Sequence, residues 1–137
     1  KIDTRAAIFK ENKILLVQEA NGTWALPGGW CDVDQSVKEN TIKEVKEEAG
    51  LNVVLDKVIA VQDRDKHNQP PYAYKICKIF SLCHATGGAF TKNLETIASD
   101  YFERDQLPTL AQAKTNEDQI QMCFAAYEND DWKTVID

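Results

Sequence analysis

Glu44, Glu47 and Glu48 lie close together in the run KEVKEEAG, Lys43 to Gly50. At about 100° per residue, a helix would place Glu48 about 40° from Glu44 on one side and Glu47 about 60° away on the other. All three then share one sector, where like charges repel. A hard divalent cation turns that repulsion into binding. Mg2+ takes oxygen ligands, keeps several waters and is held by one or two carboxylates together with substrate phosphates. The competing reading is a solvated acidic face in which Lys43 and Glu47 form an i,i+4 pair of small worth. Just upstream stands LPGGW, Leu26 to Trp30. Its two glycines let the backbone approach a ligand closely and offer a bare carbonyl oxygen. Gly28 and Gly29 therefore join Glu44, Glu47 and Glu48 as candidate metal ligands.

Acids used this way need a rigid support. Ser36 is a good N-cap, Glu39 three residues on completes a capping box, and Gly50 is placed to end the helix. Ile42, Val45 and Ala49 fall on an adjacent sector that can pack against a sheet while the carboxylates stay open. TRAAIF and KILLVQE, separated by the polar KEN, read as two strands joined by a turn. WAL reads as a short third strand stopped by Pro27, Gly28 and Gly29. Val53 to Val61 is again rich in β-formers, and QDRDKHNQPP reads as a long polar loop. YAYKICKIFSLCH is a further strand ended by Gly87 and Gly88, and ASDYF a short one. Thr115 is placed to cap a last helix running through Tyr127, burying Ile120, Cys123, Phe124 and Tyr127. This order predicts an α+β domain over residues 1–137, a mixed sheet covered by helices. It lacks the strand–helix–strand rhythm of a doubly wound parallel sheet.

Composition narrows the function. The chain has 137 residues, 43% of them hydrophobic, enough for one domain with a proper core. A formal charge of −6 leaves no broad basic surface for a nucleic-acid backbone, although a few cations and a metal can still neutralise one nucleotide. The four cysteines form no C-x-x-C pair and read as reduced thiols of a cytoplasmic protein. No apolar run reaches the roughly 20 residues of a membrane span.

The whole run GWCDVDQSVKENTIKEVKEEAGL, Gly29 to Leu51, resembles the Nudix box of pyrophosphohydrolases. Gly29, Glu44, Val45, Glu47, Glu48, Gly50 and Leu51 match that pattern at its fixed spacings. The resemblance implies the Nudix fold, a mixed sheet sandwiched between helices. It also implies hydrolysis of a nucleoside diphosphate linked to another group, giving a nucleoside monophosphate and a phosphorylated remainder. Mg2+ is the implied cofactor, with Mn2+ as a substitute. Glu44 and Glu48 are the first choice of ligands, followed by Glu47 and the carbonyl of Gly28 or Gly29. Gln35 and Lys43 stand where the family carries a glutamate and an arginine. The pair becomes an amide accepting from an ammonium and loses the bidentate fork, which predicts a weakened or retuned enzyme. DTRAAIF, WALPGGWCD, DRDKHNQPP and LPTLAQAKTNEDQI further resemble a bacterial branch acting on ADP-ribose-like or CDP-alcohol-like substrates. Members of that branch often carry a small N-terminal domain ahead of the hydrolase domain, and a homodimer is a further implied partner.

In several relatives the catalytic acid comes from a later loop, where this chain has Glu95. It is a candidate base or further metal ligand, with Glu44 the rival base and an idle loop acid the plain reading. Arg5 could meet a phosphate from the first strand. Trp24 could stack on a base, although a core role suits it as well. Arg64 and His67, in the polar loop, could recognise the other half of the substrate. Two other functions compete with catalysis: a degenerate Nudix domain that senses a nucleotide ligand without turnover, favoured by Gln35 and Lys43, and an acidic interaction domain, favoured by charge alone.

Overall fold

The computed structural model describes residues 1–137 throughout. Strands β1 (Ile2–Lys10) and β2 (Lys13–Glu19) form an antiparallel pair around Glu11 and Asn12, both at positive φ. Then come β3 (Trp24–Ala25), β4 (Gly28–Trp30), helix α1 (Val37–Ala49) and the long strand β5 (Leu51–Asp63). After a 3-10 turn at Arg64–Lys66 follow β6 (Cys77–Gly88), β7 (Thr96–Phe102), helix α2 (Glu117–Tyr127) and β8 (Val135–Ile136).

The eight strands form one mixed sheet in the order β3-β2-β1-β6-β5-β8, with β4 paired to β1 and β7 to β2. Strand β1 runs parallel to β6, and β5 runs parallel to β8. The other pairings are antiparallel.

Alternation along the central strands divides the core in two. Ala6 and Ile8 of β1, with Leu15 and Val17 of β2, pack on Val45 and Ala49 of α1. Ala7 of β1, with Ile14 and Leu16 of β2, faces the opposite layer, where α2 supplies Ile120, Cys123 and Phe124. The helices thus sandwich the sheet, as the sequence predicts.

Helix α1 matches its sequence signals closely. The Ser36 side chain accepts from Glu39 N, the Glu39 carboxylate accepts from Ser36 N, and Gly50 closes the helix at φ 72°. A Cβ on Gly50 would stand 2.1 Å from Ala89 O, so the position is closed to other residues on two counts.

Several expectations need correction. Tyr127 is exposed instead of buried and stacks on Phe9 at 4.0 Å, and the YAYKICKIFSLCH strand begins only at Cys77 and runs on through Gly88. The WAL strand stops before the glycines as expected, β3 ending at Ala25, but Gly28–Trp30 then starts a strand of its own because it finds the unpaired edge of Asp3–Arg5. Helix α2 is capped by Asn116, whose side chain accepts from Gln119 N, while Thr115 is buried and its hydroxyl accepts from Leu26 N. Much of the polar loop is ordered as well: β5 continues to Asp63 and the 3-10 turn follows directly.

Candidate active site

Strand β4 and helix α1 bring the chemistry together. Gly28 sits so close to β1 that a Cβ there would fall 1.8 Å from Thr4 O. That contact presses the strand under the helix, and Gly28 N donates to Glu48 Oε1 at 3.0 Å. A Cβ on Gly29 would lie 3.0 Å from Glu44 Oε1, so this glycine makes room for a carboxylate. The Gly29 carbonyl faces its ladder partner Thr4 and accepts from Thr4 Oγ1 at 3.3 Å.

Glu44 and Glu48 are both half-buried and line a cleft of about 360 Å³. Burial pushes both carboxyls above the ordinary range, and each is raised further by the other acids nearby. Glu48 reaches about 7, even though Arg5 and the Gly28 N–H work against the rise. Glu95 lines the same cleft and adds to the repulsion felt by both. Its loop is pinned to the end of α1: Asn93 Nδ2 donates to Glu47 O at 3.2 Å and Thr96 Oγ1 to Glu48 O at 2.8 Å. Those carbonyls would otherwise lack helical partners.

Glu47 departs from the shared sector. It is exposed, 3.8 Å from Lys43 Nζ, and it does not line the cleft. The remaining acids do not close into a ready three-ligand cluster. That suits a hard cation of the Mg2+ type, which needs one or two carboxylates and completes its shell with water and phosphate. Two partly desolvated carboxylates, both held above their usual range chiefly by burial and secondarily by neighbouring acids, fit such an ion.

The floor of the cleft is cationic. Arg5 donates through Nε and Nη2 to Asp3 at 3.0 Å each and through Nη1 to Leu26 O at 2.8 Å. Lys78, a residue the sequence reading passed over, reaches the same Asp3 with Nζ at 2.5 Å. All three are buried and line the cleft. Burial alone would raise Asp3, but the two flanking cations overcome it and hold the carboxyl at about 2. Burial and the neighbouring Arg5 bring Lys78 down to about 8 against the pull of Asp3. Two cations share one anion, which leaves a surplus positive charge facing the acids of α1. The alternating YKICKIF pattern, with Lys78 on the side of buried Ile76 and Phe80, was the available signal.

The Gln35 and Lys43 pair does not form. Lys43 Nζ bonds Asp32 Oδ2 at 3.0 Å and lies 3.6 Å from Glu44 Oε1. Gln35 is instead part of the turn before α1, its N–H donating to Asp32 O. Asp32, between the glycines and the helix, takes the role expected of Gln35.

Arg64 borders the cleft, but its guanidinium is committed to the chain. Nε and Nη2 donate to Ala113 O at 3.3 and 3.0 Å, while Nη1 donates to Pro70 O and Asp65. His67 lies elsewhere, with Nε2 2.8 Å from Asp137 Oδ2. Trp24 packs edge-on against Phe102 at 4.9 Å on the flank of the core and does not line the cleft. At the mouth stand Trp30 and Tyr72, neither of them singled out from the sequence.

Comparison with known proteins gives a consistent picture. Residues 2–125 match the NUDIX domain model. YjhB of Bacillus subtilis, which carries ADP-ribose pyrophosphatase as a provisional name, is 40% identical over the full chain. An ADP-ribose pyrophosphatase of Methanocaldococcus jannaschii is 33% identical over 76% of the chain. The chain spans only 66% and 62% of the lengths of these two relatives. A crystal structure described as an ADP-ribose pyrophosphatase from Streptococcus suis superposes with TM-score 0.94 at 52% identity, covering 100% of this chain and 98% of the other. A UDP-X diphosphatase structure superposes with TM-score 0.90 at 30% identity, covering 98% of this chain and 66% of that one. With the fold, the box and its carboxylates in register, the chain belongs to the NUDIX domain family.

Proposed function

We propose that the protein hydrolyses the pyrophosphate bond of a nucleoside diphosphate joined to a second group, of the ADP-ribose or CDP-alcohol kind. The products are a nucleoside monophosphate and a phosphorylated remainder. One observation carries the reading: a single cleft sets the half-buried carboxylates Glu44 and Glu48, with Glu95 beside them, against a buried cationic floor of Arg5 and Lys78. A diphosphate needs both, since its charge must be neutralised while water attacks phosphorus. The relatives named for ADP-ribose and UDP-X support this substrate class.

In this reading Glu44 and Glu48 hold Mg2+, or Mn2+ in its place, with the carbonyl of Gly28 or Gly29 as a further ligand. The bound ion supplies charge neutralisation and a lowered pKa for attacking water. Glu48 is kept in position by the Gly28 N–H. Surplus positive charge from Arg5 and Lys78, steadied by Asp3, attracts the phosphates from below. Glu95 accepts the proton of the attacking water, placed by Asn93 and Thr96. Lys43, tethered by Asp32, offsets negative charge beside Glu44.

The test is a panel of ADP-ribose, CDP-choline and a UDP-sugar, with and without Mg2+, scored for monophosphate release. Glu44→Gln and Glu48→Gln should lose metal affinity and turnover together. Glu95→Gln should keep metal affinity and lose turnover by about a hundredfold or more. Saturable nucleotide binding by the unaltered protein, without metal-dependent release from any of the three, would overturn the reading.

A further inference from the structure

We propose that Trp30 and Tyr72 form the nucleobase platform of this cleft, binding any flat heteroaromatic base by stacking. The proposal rests on the nucleotide reading above and adds where the base goes. Trp30 directly follows the two glycines, is 42% exposed despite its size, and lines the same cleft as Glu44 and Glu48. Tyr72, 36% exposed, lines that cleft too, its ring centroid 6.5 Å from the indole. The flexible Lys1 ammonium stands 5.4 Å from the indole centroid, and the aromatic surface that remains open beside the polar cleft suits a flat π partner.

Tyr72 is held in place. The Arg64 guanidinium lies 4.0 Å from its ring centroid, and its backbone N–H donates to both Asp65 carboxylate oxygens at 3.2 and 3.3 Å. Arg64 is itself fixed to Ala113 and Pro70, so the ring rests on a buried strut. The two rings are tilted by 53°, so a base stacks on the indole with the phenol at its edge. Aromatic faces accept every base, and selectivity among bases from this contact is correspondingly small.

The probes are AMP, CMP and ribose 5-phosphate, titrated without metal and read by tryptophan fluorescence. AMP and CMP should quench the unaltered protein, while ribose 5-phosphate should not. Trp30→Ala should weaken AMP and CMP binding, read by calorimetry, about tenfold or more. Trp30→Phe should restore most of it, and Tyr72→Ala should weaken it less. In steady-state hydrolysis Trp30→Ala should raise KM with kcat nearly unchanged. If Trp30→Ala binds AMP as the unaltered protein does, or if ribose 5-phosphate quenches equally, the platform is overturned while hydrolysis stands. If nucleotides bind through Trp30 but no diphosphate is cleaved, the platform stands and the hydrolase reading falls.

Discussion

At the scale of single residues, Lys43 illustrates how a change in one partner is absorbed. An ammonium makes a point-like contact, so it can take whichever carboxylate is nearest, and here that is Asp32. Gln35→Ala should therefore leave kcat/KM almost unchanged, whereas Asp32→Asn should lower it, by no more than about fivefold because the pair is open to solvent. Steady-state kinetics on the two variants separates this arrangement from a Gln35–Lys43 pair, which would reverse the order. Lys78 makes the opposite case. It is buried with a single protein acceptor, and its remaining N–H groups are free for a phosphate. Lys78→Met should raise KM by about tenfold or more, the worth of a charge-assisted hydrogen bond of roughly 1.5–3 kcal/mol. An unchanged KM would remove Lys78 from the phosphate floor.

At the scale of elements, α1 was readable because all its signals are local: a capping box, an apolar stripe and a terminal glycine within fifteen residues or so. Strand β4 was not, because its existence depends on meeting Asp3–Arg5, which lie far back in the chain. The same holds for β8, which exists only by pairing in parallel with Ala60 and Val61. The carboxylates of the box could be named from sequence since their spacing is itself the pattern. Their divergence was legible only as an alternative: Glu47 leaves the cleft for Lys43, the i,i+4 partner that the competing reading offered, while Glu44 and Glu48 stay in it. Gly50 links the element to the site, since it both ends α1 and abuts Ala89 on the way to the Glu95 loop. Gly50→Ala should destabilise the fold by more than about 1 kcal/mol, a left-handed backbone and a steric clash acting together. Thermal unfolding would register this as a drop of several degrees. Asn93→Ala removes a tether of that loop and should lower kcat by a few-fold without altering metal affinity.

At the scale of the whole molecule, Asp3 connects the site to stability. Its carboxyl titrates at about 2 in the folded protein, against about 3.9 in an unfolded chain. A depressed acid contributes its stabilisation above the unfolded value and loses it as pH falls toward the folded one. The window is thus about pH 4 down to about 2, and the loss on the order of 2–3 kcal/mol. Urea unfolding across that range should show a shrinking midpoint, and a flat midpoint would contradict the buried triad. Raising pH from 5 to 7 should leave this contribution intact.

The floor of the cleft stands on β1 and β6, inner strands of the sheet, whereas its rim is furnished by Trp30 and Tyr72. Randomising Asp3, Arg5 and Lys78 would then yield chiefly insoluble chains. Randomising the rim would yield well-behaved proteins of altered appetite. Evolvability in this scaffold is segregated by depth, and a change of diet can begin at the doorway without disturbing the foundations.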